Sequence, residues 1–170
     1  MLTAPIMATI IGIPQSSRLS LDSCKGEPLD NERLSEISPF EVNQFRQFDT
    51  AYGFGTERRC DPNPSYNCHG MTFAARRTGI FESNTIWQIL SEDQYINITE
   101  REDVKAGDVI LYFDDSGDFE HSGIVISPPR SDNLYVPVVC SKWGKYAELL
   151  HRGNNCPYNF GNVKYYRLQP

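Results

Sequence analysis

No stretch of this chain approaches the roughly 20 apolar residues that a membrane helix needs. A membrane partner is therefore not expected. Long basic runs are missing as well, and the formal net charge is -6, so there is no electrostatic footprint for a polyanion and no nucleic-acid partner is expected. The apolar run from Ala4 to Ile13 has no basic segment before it and is broken by Pro5 and Pro14, unlike a signal peptide. The expected location is the cytosol as synthesised, with secretion by a signal-independent route left open. Cysteine is sparse and odd in number, at five, which leaves at least one thiol unpaired and does not suit a disulfide framework. No Cys-x-x-Cys or His-x-x-x-His pair occurs, so neither a metal nor an organic cofactor is expected.

What remains is an ordinary globular composition, 39% hydrophobic and 22% charged. In 170 residues it is sufficient for one domain with a substantial core. Residues 1–37 mix Pro, Ser, Gly and charge without a clean period and read as an irregular N-terminal segment ahead of a core at 38–170. Ser38-Pro39-Phe40-Glu41 opens a helix, with Ser38 as cap and Glu41 returning a bond. Phe40, Phe45 and Phe48 carry its apolar side to about Asp49. A Gly-, Pro- and Asn-rich loop over 50–67 ends at Asn67-Cys68-His69-Gly70, where Asn67 can cap a helix that Gly79 can end. Another helix is expected over 85–92. Strands are expected over 109–113, 121–126, 134–141, 147–151 and 163–168, which makes the class α+β, helices first and an antiparallel sheet second. Pro137 marks its strand as an edge or bulged one.

Chemistry concentrates on few residues. A thiol attacks as its thiolate, which backbone N–H groups at a helix start and a nearby imidazole both favour. Cys68 sits at such a start. Of the three histidines, His69 points about 100° away from its neighbour on a helix, and His151 reads as a solvated strand residue. His121 opens an apolar strand directly after a loop, which makes it the best general base. Arg58 and Arg59 read as solvated surface charge.

The order Asn-Cys-His-Gly, then Lys-Ala-Gly-Asp-Val-Ile-Leu-Tyr-Phe, then His-Ser-Gly-Ile-Val-Ile resembles the core of the NlpC-like papain-fold hydrolases and the related CHAP amidases, over roughly residues 64–141. The resemblance implies a papain-like fold, N-terminal helices on an antiparallel sheet, with Cys68 as nucleophile and His121 as base. It implies hydrolysis of an amide bond through an acyl-enzyme, with peptides or bacterial peptidoglycan as the substrate class and a cognate inhibitor protein as a conceivable partner. The family places a polar orienting residue on the next strand, where Ser141 is the candidate here, although the usual His, Asn, Asp or Glu is missing. Tyr66, Asn67 and Trp143 are the candidates for oxyanion and substrate contacts. Relatives of this kind act as deamidases, acyltransferases or thioesterases, and a catalytically silent binding or immunity module remains a separate alternative.

Overall fold

The computed structural model describes residues 16–169, so the apolar run at 4–13 and the rest of the segment before Ser16 lie outside the described residues. A short antiparallel pair, β1 (Ser16–Ser17) and β2 (Arg33–Leu34), precedes helix α1 (Pro39–Tyr52). The start of α1 closes as expected: the Glu41 amide donates to Ser38 Oγ, and the Ser38 amide donates to the Glu41 carboxylate at 2.7 Å. The helix continues past Asp49 because its apolar side continues at the next turn. Tyr52, four residues after Phe48, sets its ring edge against Trp143 with centroids 5.4 Å apart.

Strand β3 (Thr56–Arg58) follows, inside the segment expected to be loop. Helix α2 (Cys68–Phe73) comes next, and it is much shorter than an end at Gly79 would make it. The reason is a fold-back. Gly70 lies so close to the Thr78 carbonyl that a Cβ there would meet the oxygen at 1.8 Å. Ala75 and Arg76 take left-handed φ values of 48° and 65° to make the reversal, and the Arg76 amide donates to the Gly70 carbonyl. Helix α3 (Ser83–Glu92) and strand β4 (Tyr95–Ile98) follow, the latter also unforeseen.

The remaining strands are β5 (Val109–Phe113), β6 (Phe119–Ser127), β7 (Val138–Lys142), β8 (Glu148–Arg152) and β9 (Val163–Leu168). With β3 and β4 they form a seven-stranded sheet in the order β3-β8-β7-β6-β5-β9-β4, antiparallel at every pairing. The protein is therefore mixed α+β. Pro137 does not mark an edge, since β7 lies between β6 and β8, but the pairing is irregular where it begins: between Val125 opposite Val139 and Ser127 opposite Val138 the β6–β7 register shifts.

Alternation along β5 divides the interior in two. Val109, Leu111 and Phe113 pack with Ala74, Ile86 and Ile89 from the α2–α3 side. Ile110 and Tyr112 pack with Phe45, Trp143, Tyr146 and other residues of the opposite face. Among the described residues no helix is long and apolar enough to cross a membrane.

One irregularity of the sheet positions the site. The β6–β7 ladder runs from Ser127 opposite Val138 only as far as Ile124 opposite Cys140. Gly123, at the end of this pairing, has room for no side chain, since a Cβ would come within 2.5 Å of Val139 and 3.0 Å of Ser141. Beyond it, residues 121 and 122 have no β7 partner in the ladder, and α2 packs over this part of β6.

Candidate active site

Cys68 is the first residue of α2 and is 6% exposed. Asn67 fixes that start with unusual thoroughness. Its side-chain oxygen accepts from the Gly70 amide at 2.9 Å and from the Ile80 amide at 3.1 Å, while its Nδ2 donates to the Ile80 carbonyl. The Asn67 amide is thus a cap and a brace between α2 and residue 80. One N–H of its amide nitrogen is thereby engaged, and the side chain is held in place at the start of α2.

Burial is the largest influence on the Cys68 thiol and pushes its pKa up to about 11. Acting against burial are hydrogen bonds to the sulfur from the backbone N–H groups of Ser122, His69 and Cys68 and from the Ser122 hydroxyl. With α2 under two turns long, these local donors rather than a helix dipole favour the thiolate. The resting group is a neutral thiol.

His121 is completely buried on β6. It lies opposite Tyr112 in the β5–β6 register. There it stacks on Tyr158, with centroids 3.7 Å apart and planes within 8°. Among the described residues neither ring nitrogen has a hydrogen-bond partner. The thiol and the imidazole, the pair expected from the sequence, are therefore not hydrogen-bonded to each other. Ser122, next along β6, bonds the sulfur of Cys68, and Tyr158 stacks on His121. Burial, the largest cause, holds the His121 pKa well below its usual value, with like charge on His151 and His69 adding to it.

Ser141 does not orient His121. Its Oγ lies 2.8 Å from His151 Nε2 and accepts from Trp143 Nε1 at 3.1 Å. The cause is register, because Gly123 rather than His121 is the β6 residue that lies against Ser141. His151 is also not solvated: it is 1% exposed, with Nδ1 2.8 Å from the Arg152 carbonyl oxygen. Arg58 is less free than expected, since it pairs with Asp49 at 3.1 Å and bonds the Tyr146 hydroxyl.

Three of the expected site residues, Tyr66, Asn67 and Trp143, meet at one cavity of about 260 Å³, which Tyr158 also lines. Tyr66 is anchored by donating its hydroxyl to Glu148 at 2.8 Å. Glu148, 5% exposed, also receives Arg76 through two bonds of 2.6 and 3.1 Å. Burial works to raise the Glu148 pKa, but Arg76 and Tyr66 outweigh it and hold the carboxylate below its usual range.

His69, set aside as the base, belongs to the site in a supporting place, and several other residues of the site were not singled out in the sequence. His69 reaches Ser122 Oγ through Nδ1 at 2.9 Å, and Thr72 Oγ1 lies 3.0 Å from the same oxygen. Helical spacing was the usable signal, because Thr72 shares a helix face with Cys68 at i+4. Lys142 is fully buried on β7, with Nζ donating to the Tyr146 carbonyl and lying 4.7 Å from the Tyr66 ring centroid. Burial lowers its pKa to about 8, opposed by the charges of Cys60, Glu148 and Cys68. Tyr158 lies in an irregular stretch with no pattern to single it out. All five cysteines are free thiols. Among the described residues no group of three or more His, Cys, Asp or Glu is placed to hold a metal ion.

Compared with models of protein families, with curated proteins and with solved structures, the chain matches none, so its function has to be read from this geometry.

Proposed function

We propose that this protein is a cysteine-dependent acyl hydrolase of papain-like, NlpC- or CHAP-type arrangement, with Cys68 as nucleophile and His121 as proton acceptor. The observation that carries the reading is His121 itself. An imidazole with two buried and unbonded nitrogens costs stability, about 1–3 kcal/mol for a group left unsatisfied. Such exceptions call for an explanation. A base kept free for a transient proton is one, and it stands beside the residue that cradles the only thiol at a helix start.

In this mechanism the resting pair is neutral, as burial dictates for both groups. On substrate entry the sulfur of Cys68 attacks the carbonyl carbon as its proton passes to His121. The backbone N–H of Cys68 donates to the developing oxyanion. His121 returns the proton to the leaving amine as the acyl–nitrogen bond breaks, and water activated by His121 then releases the acyl group from sulfur. An ordered proton path requires the Tyr158 ring to yield, because it covers His121 at rest.

The test is acylation. Wild-type protein is incubated with activated acyl esters and with peptidoglycan fragments, and turnover is compared with that of Cys68→Ala and His121→Phe. Hydrolysis by wild type that both variants lose supports the reading. A second reading, a catalytically silent binding module on the same scaffold, is favoured by the missing thiol–imidazole bond and by the raised thiol pKa. Equal background hydrolysis by all three proteins would establish it.

A further inference from the structure

We propose that the cavity beside Cys68 is a specificity pocket for a large, neutral, ring-bearing group of the substrate; this rests on the reading of Cys68 as nucleophile. The location argues for it first. The residue before Cys68, Asn67, and the residue stacked on His121, Tyr158, both form the wall. A group seated there lies next to the start of α2 and to the ring that covers His121.

The lining determines the chemistry. Phe45 and Phe48 from α1, with Phe81, Trp143 and Tyr158, present aromatic surface. The existing rings already meet in tilted and edge-on pairs, Phe48 on Trp143 at 5.5 Å and 84°, the geometry an incoming ring can extend. The charged groups of the wall are Glu41 and Lys145. They pair with each other at 2.9 Å, and Lys145 also donates to the Glu36 carbonyl at 3.0 Å. Neither charge is left over for a substrate carboxylate or amine, and a charged group entering here would lose its hydration for no partner. Size agrees. An apolar cavity of about 150 Å³ accommodates benzene, and this one offers about 260 Å³, enough for a phenyl group and the linker to a carbonyl.

The pocket is tested by binding, without reference to turnover. In a Trp87→Phe background Trp143 is the remaining indole, and its fluorescence reports occupancy of the cavity. Phenylacetamide, acetamide and the anionic succinamate are titrated in turn. The expected result is saturable quenching by phenylacetamide with affinity at least roughly tenfold above either of the others, the gain that burying one large apolar group provides. Gln44, exposed on α1 and at the cavity wall, is then replaced as Gln44→Phe to fill the space without touching the core, and affinity for phenylacetamide should fall by about tenfold. Comparable binding of acetamide or succinamate overturns the proposal, as does a folded Gln44→Phe protein that binds phenylacetamide unchanged. Should that variant not fold, the ranking of the three amides decides alone. Acylation of Cys68 is recorded separately: ring binding without acylation leaves the pocket standing and removes the nucleophile, whereas acylation with no preference for the ring does the reverse.

Discussion

His121 places stability and chemistry in opposition. His121→Phe keeps a ring for Tyr158 to stack on and removes both unbonded nitrogens, so it should raise unfolding free energy by about 1–3 kcal/mol. The same change should cut acyl hydrolysis by roughly 10²–10⁴-fold, the contribution of a positioned base. Denaturant titration and steady-state kinetics on one preparation check the pair of effects. A destabilised variant of unchanged activity would mean that the imidazole serves packing alone. Cys68 is governed by a different balance. Its raised pKa of about 11 means that alkylation of the resting thiol should climb about tenfold per pH unit through the neutral and mildly alkaline range. A plateau near pH 7, measured by mass spectrometry of the labelled peptide, would point to a preformed thiolate and contradict the neutral resting pair.

At the scale of elements, α2 owes its place to Asn67 more than to its own length. Three hydrogen bonds converge on that side chain, two into its oxygen and one from its amide. Asn67→Ala should therefore cost at least the ~1–2 kcal/mol of a strong cap, with Cys68 more exposed to alkylation as the helix start loosens; a thermal melt and a labelling rate test both. The cap, and with it the place of Cys68 at a helix start, was legible in the sequence because Asn before a short apolar run has a local meaning. The same holds for the capping box of α1 and for strands β5, β6 and β9. What the sequence could not show depended on distant contacts. The fold-back at residues 75–78 needs Gly70 against Thr78, and the short strands β3 and β4 exist only because β8 and β9 offer them edges. The partner of Ser141 was likewise a matter of register, fixed by how β6 and β7 pair and where their ladder stops. His151 was misplaced because its strand was visible but not the distant contacts of its ring, edge-on to Trp143 and bonded to Ser141.

For the whole molecule, three buried histidines set the response to acid. Burial lowers His69 and His151 to about 4 and His121 well below its usual value. The unfolded chain binds these protons near pH 6.5. Below that pH the unfolded state therefore takes up protons that the native state refuses, and native stability falls as pH falls, by about 1.4 kcal/mol per unit for each group. Together they remove roughly 4 kcal/mol per pH unit between about 6.5 and 4, enough to consume the 5–15 kcal/mol of an ordinary domain within that window. Unfolding free energies at pH 7, 6 and 5 should fall steeply, and the acid limb of any activity profile should coincide with loss of circular dichroism. A flat stability between pH 7 and 5 would show that these imidazoles are solvated.

Sulfur chemistry at residue 68 is most directly observed as a covalent adduct. Quenching a reaction with phenylacetyl p-nitrophenyl ester in acid and mapping the added mass by peptide sequencing should place a phenylacetyl group on Cys68 of the wild type, with far less on His121→Phe. An unmodified Cys68, or equal labelling of the wild type and the histidine variant, would contradict it.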